Sequence, residues 1–411
     1  MRILFLNPVG VLGGAERALL DLLACLRRLD PALSLHLLAG TEGPLLDEAR
    51  ALGVDSRLLP LPERLSALGD SGLRGQGVGA LWGLARGLTP VPRLLAGYLH
   101  SLRREVRSLR PHLIHSNGIK THLLSSATVG LPVARVWHIH DFIGERPLVR
   151  RALQGLRSLA TAAIANSRAV GTDAREVLGS VPIHVVYNGV DVERFAPGPG
   201  EGSRLDALAG LPPAPAGTLR LGLVATYARW KGHDIFLQAA ARLVRERPTL
   251  PLRFYLVGAP LYRTPDSQFS EEDLRGLVEQ LGLSGRVGLV PFQREPAAVY
   301  RALDIFVHAS TRREPFGLTI AEALACGRAA IISRASGAAE QLTEGVDALT
   351  LSSGDAEALA GAMRALVEDA GLRERLGQAA RRTAAERFSR ERYAREILNI
   401  YRALPRAEGS L

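Results

Sequence analysis

Cysteine is nearly absent, with two among 411 residues, Cys25 and Cys326. They share no metal-ligand spacing, and each sits in an apolar helical stretch, LLACL and EALACG. A cysteine metal site is thereby excluded, and both thiols are expected to pack a core in a reducing compartment. Long uncharged runs are also lacking. The longest, Thr121 to Ala134 and Val177 to Val190, stop short of the roughly 18 residues a membrane span needs, so the chain is not expected to cross a bilayer. The opening MRILFLNPVG carries one positive charge and a brief apolar run. It reads as a buried strand, ILFL, ending at Asn7-Pro8, rather than as a truncated signal peptide. Aromatics make up 5% of the residues, which leaves a core of Leu, Ala and Val. Of 51 basic residues only Lys120 and Lys231 are not arginine, so a lysine here marks a position worth examining.

With 47% apolar and 22% charged residues the chain is globular. Its length exceeds the size at which one core usually stops growing, so two domains of about 200 residues are expected. Net charge is +10 and the pI about 10.2, which admits nucleic acid, an anionic membrane surface or phosphate-bearing substrates as partners. The arginines are scattered through helical stretches and no RNA- or DNA-binding motif occurs, so nucleic acid is not expected.

The first half repeats a short apolar run, a turn and a helical stretch: ILFL, LSLHLLAG, LIHSN, ARVWHIHD, ATAAIANS and IHVVYNGV are the apolar runs. Alternation of this kind predicts an α/β fold with a parallel sheet covered on both faces. Residues 198–217, rich in Gly, Pro and Ala, read as a linker, after which the rhythm restarts with LRLGLVA, RFYLVGA, RVGLVPF, DIFVHAS and AAIIS. The prediction is a pair of Rossmann-like doubly wound sheets, an N-terminal domain over 1–197 and a C-terminal domain over 218–385. Residues 61–110 break the rhythm with eight Arg, three acidic residues, Trp82 and Tyr98. Two readings stand: amphipathic surface helices, or a patch that docks on anionic lipid or a phosphorylated acceptor.

Four stretches carry chemistry. In RREPFGLTIAEALACG, residues 312–327, Gly317 lets the backbone approach a ligand and the free amides of Leu318 and Thr319 open a helix whose dipole favours phosphate. Glu322 is a carboxylate in that apolar helix and calls for a polar partner, which a ribose diol would supply; Glu314 lies before the helix start, with seven residues between the two, placed for sugar hydroxyls. The alternative is a solvated loop Glu314 and a helix Glu322 in an internal ion pair. In YARWKGHDIFLQAA, Arg229 and Lys231 stand in a strand-loop-helix turn; Lys231 supplies the point charge a diphosphate leaving group needs, and Gly232 lets the chain turn close to it. Both Glu314 and Lys231 are expected to matter to turnover and little to stability. NPVGVLGGAERALL, residues 7–20, is a glycine loop without the spacing of a nicotinamide fingerprint. HIHD, residues 138–141, ends a strand, where His140 reads either as structural or as a partner for a sugar hydroxyl.

Taken in order, GGAE (13–16), HSN (115–117), HD (140–141), NGVDVERFAP (188–197), WKG (230–232) and EPFGLTIAEALACG (314–327) resemble the retaining glycosyltransferases of family 4, which have the GT-B fold. The resemblance implies two Rossmann-like domains facing across a cleft, with a C-terminal helix, here 386–411, crossing back to the first. It implies catalytic roles for His140, Glu314 and Lys231, and a donor site of Gly14, Arg229, Lys231, Phe292, Phe316, Gly317, Leu318, Thr319 and Glu322, with the backbone near Phe292 receiving the base. Many members carry Gly-Arg where this chain has Ala225-Thr226, so either Arg229 replaces that Arg or the contact is absent.

The implied reaction moves a hexose-type sugar from a UDP- or GDP-linked donor to a hydroxyl acceptor, lipid-linked or polyanionic, in polysaccharide, glycolipid or glycoconjugate synthesis. The nucleotide sugar serves as donor substrate, without metal or cofactor, in the cytoplasm or at the inner face of the membrane. A sugar-nucleotide epimerase of the same fold and a non-catalytic sugar-nucleotide-binding protein are the alternatives. With both lysines otherwise accounted for, a pyridoxal-dependent phosphorylase is disfavoured.

Overall fold

The computed structural model describes residues 1–63, 91–260 and 267–405. Among them, two all-parallel sheets are formed. The first contains β1 (Arg2–Asn7), β2 (Ser34–Ala39), β3 (Asp55–Leu58), β4 (Leu113–Ser116), β5 (Ala134–Ile139), β6 (Ala162–Ala165) and β7 (Ile183–Val185), in the order β3-β2-β1-β4-β5-β6-β7. The second contains β8 (Leu219–Val224), β9 (Leu252–Gly258), β10 (Val287–Pro291), β11 (Ile305–His308), β12 (Ala329–Ser333) and β13 (Leu349–Leu351), in the order β10-β9-β8-β11-β12-β13. Strands such as β9 and β12 are buried along their whole length, because helices cover both faces of a parallel sheet; this is why they read as unbroken apolar runs.

The chain divides into two compact units, residues 1–189 with the C-terminal helix Arg390–Ala403, and residues 190–389. In the first unit the helix Gly14–Leu29 presents Ala18, Leu19, Leu22, Leu23, Cys25 and Leu26 to the core at helical spacing. The helix Arg390–Ala403 lies against it through Tyr393, Ala394, Ile397 and Leu398. Cys25 and Cys326 are buried free thiols, each pushed up to about 11, chiefly by burial. Among the described residues no helix is long and apolar enough to cross a membrane.

Of the basic segment 61–110, residues 64–90, Trp82 included, lie outside the described residues. The helix Val91–Leu109 within it is amphipathic. Leu95, Tyr98, Leu99, Leu102 and Val106 pack on a core cluster with Leu4 and Ile114, Arg103 donates to the carbonyls of Ala127 and Val129 at 2.7 Å, and Arg104 and Arg107 are exposed.

The stretch 198–217, expected as a linker, is built into the second unit. It contains the helix Gly202–Leu208, whose Leu205 packs with Tyr255 and Val257. Asp206, 2% exposed, accepts from Arg220 at 2.7 Å and pairs with Arg253 at 2.8 Å, and the Tyr255 hydroxyl also donates to it. Burial alone would raise this carboxyl; the hydrogen bonds from Arg220, Tyr255 and Arg253 hold it below its ordinary value instead. Gly and Pro composition suggested a spacer because a buried ion cluster formed with residues far along the chain leaves no local signature. Removing one member of such a cluster leaves the others buried and uncompensated. Asp206→Ala is therefore expected to cost about 3 kcal/mol, seen as a lower urea midpoint in far-UV circular dichroism; an unchanged midpoint would restore the spacer reading.

Candidate active site

The strand order of the second sheet reverses between β8 and β11, and in open parallel sheets ligands bind beyond the carboxyl ends of the strands at such a reversal. Lys231 follows β8 and Glu314 follows β11, and the structure brings them together. Their side chains form an ion pair that is 14% and 7% exposed. Lys231 sits in a single 3-10 turn, Arg229–Lys231, closed by Gly232 in the left-handed region at φ +75°. A Cβ at Gly232 would stand 2.0 Å from the Ala309 carbonyl oxygen, so only glycine allows the turn to approach the end of β11. The Lys231 ammonium lies 4.2 Å from the centre of the Trp230 ring.

Glu314 is not a solvated loop residue. It is 6% exposed, and its Oε2 accepts from His308 Nε2 at 2.6 Å and from Ser310 Oγ at 2.7 Å. Its backbone is clamped by Glu314 N–H to Ala335 O at 2.7 Å and by Gly337 N–H to Glu314 O at 3.0 Å. Burial would raise this carboxyl, but the charge of Lys231, then that of His308 and their hydrogen bonds, hold it well below the usual carboxylate range. The expectation that Lys231 matters little to stability is corrected here, since its removal would leave the Glu314 carboxylate buried without its cation. His308 and Ser310 were missed in the sequence; His308 is the last residue of β11, and that position at the carboxyl edge was the available signal.

Gly317 precedes the helix Leu318–Ala325 at φ +97°. Ile320 N–H donates back to Gly317 O at 3.0 Å, whereas the amides of Leu318 and Thr319 find no acceptor among the described residues. Two open amides at a helix start beside a lysine form a cradle for an anion. Glu322, on the same helix, is 9% exposed and has a partner within the protein: the Tyr300 hydroxyl donates to its Oε2 at 2.7 Å. Tyr300 was not anticipated, because nothing in the sequence signals a contact across 22 residues. The Phe316 ring is 3% exposed and packs edge-on against Phe388 at 5.7 Å, so its side chain is committed to the core. Phe292, just past β10, is 55% exposed. Arg229 shares the turn with Lys231, yet its guanidinium lies 4.3 Å from the Phe269 ring centre and 3.6 Å from Asp273.

In the first unit, Gly14 begins its helix and is exposed, and His140 follows β5. His140 Nε2 lies 2.6 Å from Asn117 Oδ1, and its ring is 4.0 Å from that of His138. His138 Nδ1 meets His115 Nε2 at 3.2 Å, and His115 Nδ1 meets the Tyr401 hydroxyl at 2.6 Å. Asp141 pairs with Arg146. Among the described residues no group of three or more His, Cys, Asp or Glu is placed to hold a metal ion.

All-parallel doubly wound sheets with a lysine–carboxylate pair at a strand-order reversal and a glycine-opened helix beside it define an open α/β protein with a candidate anion site at that reversal. The group 1 glycosyl transferase model matches residues 213–383 and the family 4 glycosyltransferase model residues 12–194. The two cover successive halves, and the chain belongs to the family 4, group 1 glycosyltransferases, with the GT-B fold. Among curated relatives, a D-inositol 3-phosphate glycosyltransferase of Thermobifida fusca is 30% identical over 270 residues, covering 59% of this chain and 60% of the relative. One from Corynebacterium urealyticum is 29% identical over 246 residues, covering 59% of this chain and 56% of the relative. The matched stretch thus spans less than two thirds of these relatives. Among solved structures, Anabaena HepE in complex with UDP superposes with a TM-score of 0.78 at 24% identity, covering 98% of this chain and all of that one. A Rickettsia africae glycosyltransferase gives 0.78 at 18% identity, covering 100% of this chain and 99% of that one.

The histidines of the first unit make acid its weakness. Burial is the largest cause in each case: His115 is lowered to about 3 and His140 to about 4, and His122 and His138 fall well below the ordinary 6.5. A histidine held neutral in the fold costs nothing above its unfolded value and costs stability as pH falls below it, because only the unfolded chain then takes up the proton. From about pH 7.5 to 5.5 each such group removes on the order of 1 kcal/mol. Urea unfolding at the two pH values is expected to show a loss of several kcal/mol for the four together; a flat profile would mean that they titrate freely in the folded chain.

Proposed function

We propose that the chain is a retaining glycosyltransferase that moves a hexose-type sugar from a UDP- or GDP-linked donor to a hydroxyl acceptor. The observation that carries this reading is the buried Lys231–Glu314 pair beside the open amides of Leu318 and Thr319. As the bond from the anomeric carbon to the diphosphate oxygen breaks, negative charge grows on that oxygen, and Lys231 with the helix start is placed to receive it. Glu314, ionised and clamped, is placed to accept from sugar hydroxyls. Its hold on Lys231 keeps the ammonium in position until the diphosphate competes for it. The acceptor oxygen then bonds to the anomeric carbon on the face the diphosphate leaves, and its proton passes to a diphosphate oxygen, which preserves the anomeric configuration. The protein's part is positioning and charge stabilisation, without metal.

Family membership supports the activity, and the UDP complex of HepE supports a nucleoside diphosphate donor. A net charge of +10 fits an anionic acceptor, polyanionic or lipid-linked, and the curated relatives are named for a phosphorylated one. Peripheral contact with an anionic membrane through 61–110 would draw on the exposed Arg104 and Arg107. The free thiols suit a reducing, cytoplasmic setting.

UDP or GDP is expected to raise the melting temperature by mass action, equally with and without EDTA; no shift with any nucleoside diphosphate or its sugars, or a shift abolished by EDTA, would count against this reading. Lys231→Ala is expected to lower turnover on the order of a hundredfold or more and also to lower the melting temperature, with Lys231→Arg recovering most of the stability. Assayed well below the melting point of the variant, turnover within about twofold of wild type would remove Lys231 from the mechanism.

A further inference from the structure

The strand order of the first sheet reverses between β1 and β4. Asn7 is the last residue of β1, Asn117 directly follows β4, and His140 follows the neighbouring β5. Asn7 and Asn117 are 1% and 2% exposed, and Glu16, in the first turn of the helix Gly14–Leu29, is 8% exposed. These four side chains form one hydrogen-bonded line, and its direction follows from groups that can act in only one way.

Asn7 Nδ2 lies 2.6 Å from the Val9 carbonyl oxygen and 3.2 Å from Glu16 Oε1. Glu16 Oε2 accepts the Gly13 N–H at 3.0 Å. A carbonyl and a carboxylate only accept, so the amide nitrogen of Asn7 must face them and its Oδ1 must face Asn117. That oxygen accepts from Asn117 Nδ2 at 2.8 Å, and the same nitrogen lies 3.4 Å from the Ala15 carbonyl. Asn117 therefore turns its Oδ1 toward His140 Nε2, at 2.6 Å. An amide oxygen cannot donate, so the proton of this neutral imidazole is on Nε2. His140 Nδ1 then carries a lone pair; the atom is buried and meets no hydrogen-bond partner among the described residues. The ring can accept a hydrogen bond there and cannot give one.

We propose that Glu16, Asn7 and Asn117 are positioning residues that lock His140 in the Nε2–H tautomer and tie it to the glycine turn at Gly13, leaving Nδ1 to accept from a hydroxyl of the substrate. The choice of substrate rests on the transferase reading above; the tautomer does not. The line starts at the backbone of one glycine turn and ends at the side chain beyond β5, so the two strand ends that flank the reversal are fixed by one set of bonds.

The test is a long-range proton–nitrogen correlation spectrum of protein labelled with nitrogen-15 in histidine, near neutral pH, with the signal of residue 140 identified by its loss in His140→Gln. Wild type is expected to show protonated Nε2 and bare Nδ1. Asn117→Leu removes the acceptor that faces the ring, and the milder Glu16→Gln removes one of the two acceptor oxygens at the start of the line. Each is expected to lose the single Nε2–H pattern, with kcat falling on the order of tenfold or more and the KM for donor staying within about twofold. A wild-type ring protonated on Nδ1, or a mixture, would overturn the assignment, as would variants that keep the wild-type pattern. Variants that lose the pattern but keep kcat would overturn the positioning role. Because the spectrum needs no substrate, failure of nucleotide binding would sink the transferase reading and leave the tautomer standing.

Discussion

All strands in both sheets run parallel, and a parallel strand can be followed only by a crossover that carries the chain back along a face of the sheet. Each loop that leaves a strand therefore emerges on the same edge as its neighbours. That constraint gathers residues far apart in sequence: Lys231 after β8 with Glu314 after β11, and Asn7 at the end of β1 with Asn117 after β4. At the two reversals the crossovers depart to opposite sides, the edge opens, and in each unit the buried polar cluster lies there.

The two clusters solve the same physical problem differently. In the second unit a carboxylate is kept ionised inside the protein by a lysine, a histidine and a serine, so charge is stored next to a helix start with unused amides. In the first unit the buried groups are neutral amides and imidazoles, with Glu16 anchoring one end. There the economy is of direction, since each amide nitrogen on the line faces acceptors and the ring at the end is left with a single bare nitrogen. Charge stabilisation needs the first arrangement; orientation of a hydroxyl needs the second.

Much of the architecture was legible along the chain. The unbroken apolar runs marked strands buried on both faces, and their alternation with helical stretches marked two doubly wound sheets. The departures come from long-range polar contacts. Residues 198–217 looked like a spacer because Asp206 gains its meaning only from Arg220, Arg253 and Tyr255. The unit boundary falls at Gly189 and Ser389, while the composition shift begins at 198. The ring of Phe316, in the middle of the EPFG run, packs against Phe388, a contact far along the chain that no local pattern signals.

By itself the sequence determined which residue types stand at strand ends and helix starts: the rare Lys231 before Gly232, the two glutamates around Gly317, the histidine after β5. These depend on local spacing and on the backbone conformations that only glycine adopts readily, both of which are written in neighbouring residues. Tertiary structure alone decided what each polar group faces: that Glu314 binds Lys231 and His308, that Glu322 meets Tyr300, that Arg229 turns to Asp273 and Phe269, and which nitrogen of His140 holds its proton. Such pairings require a closed set of donors and acceptors brought in from several strands, and a linear pattern cannot specify a set that exists only after the sheet has assembled.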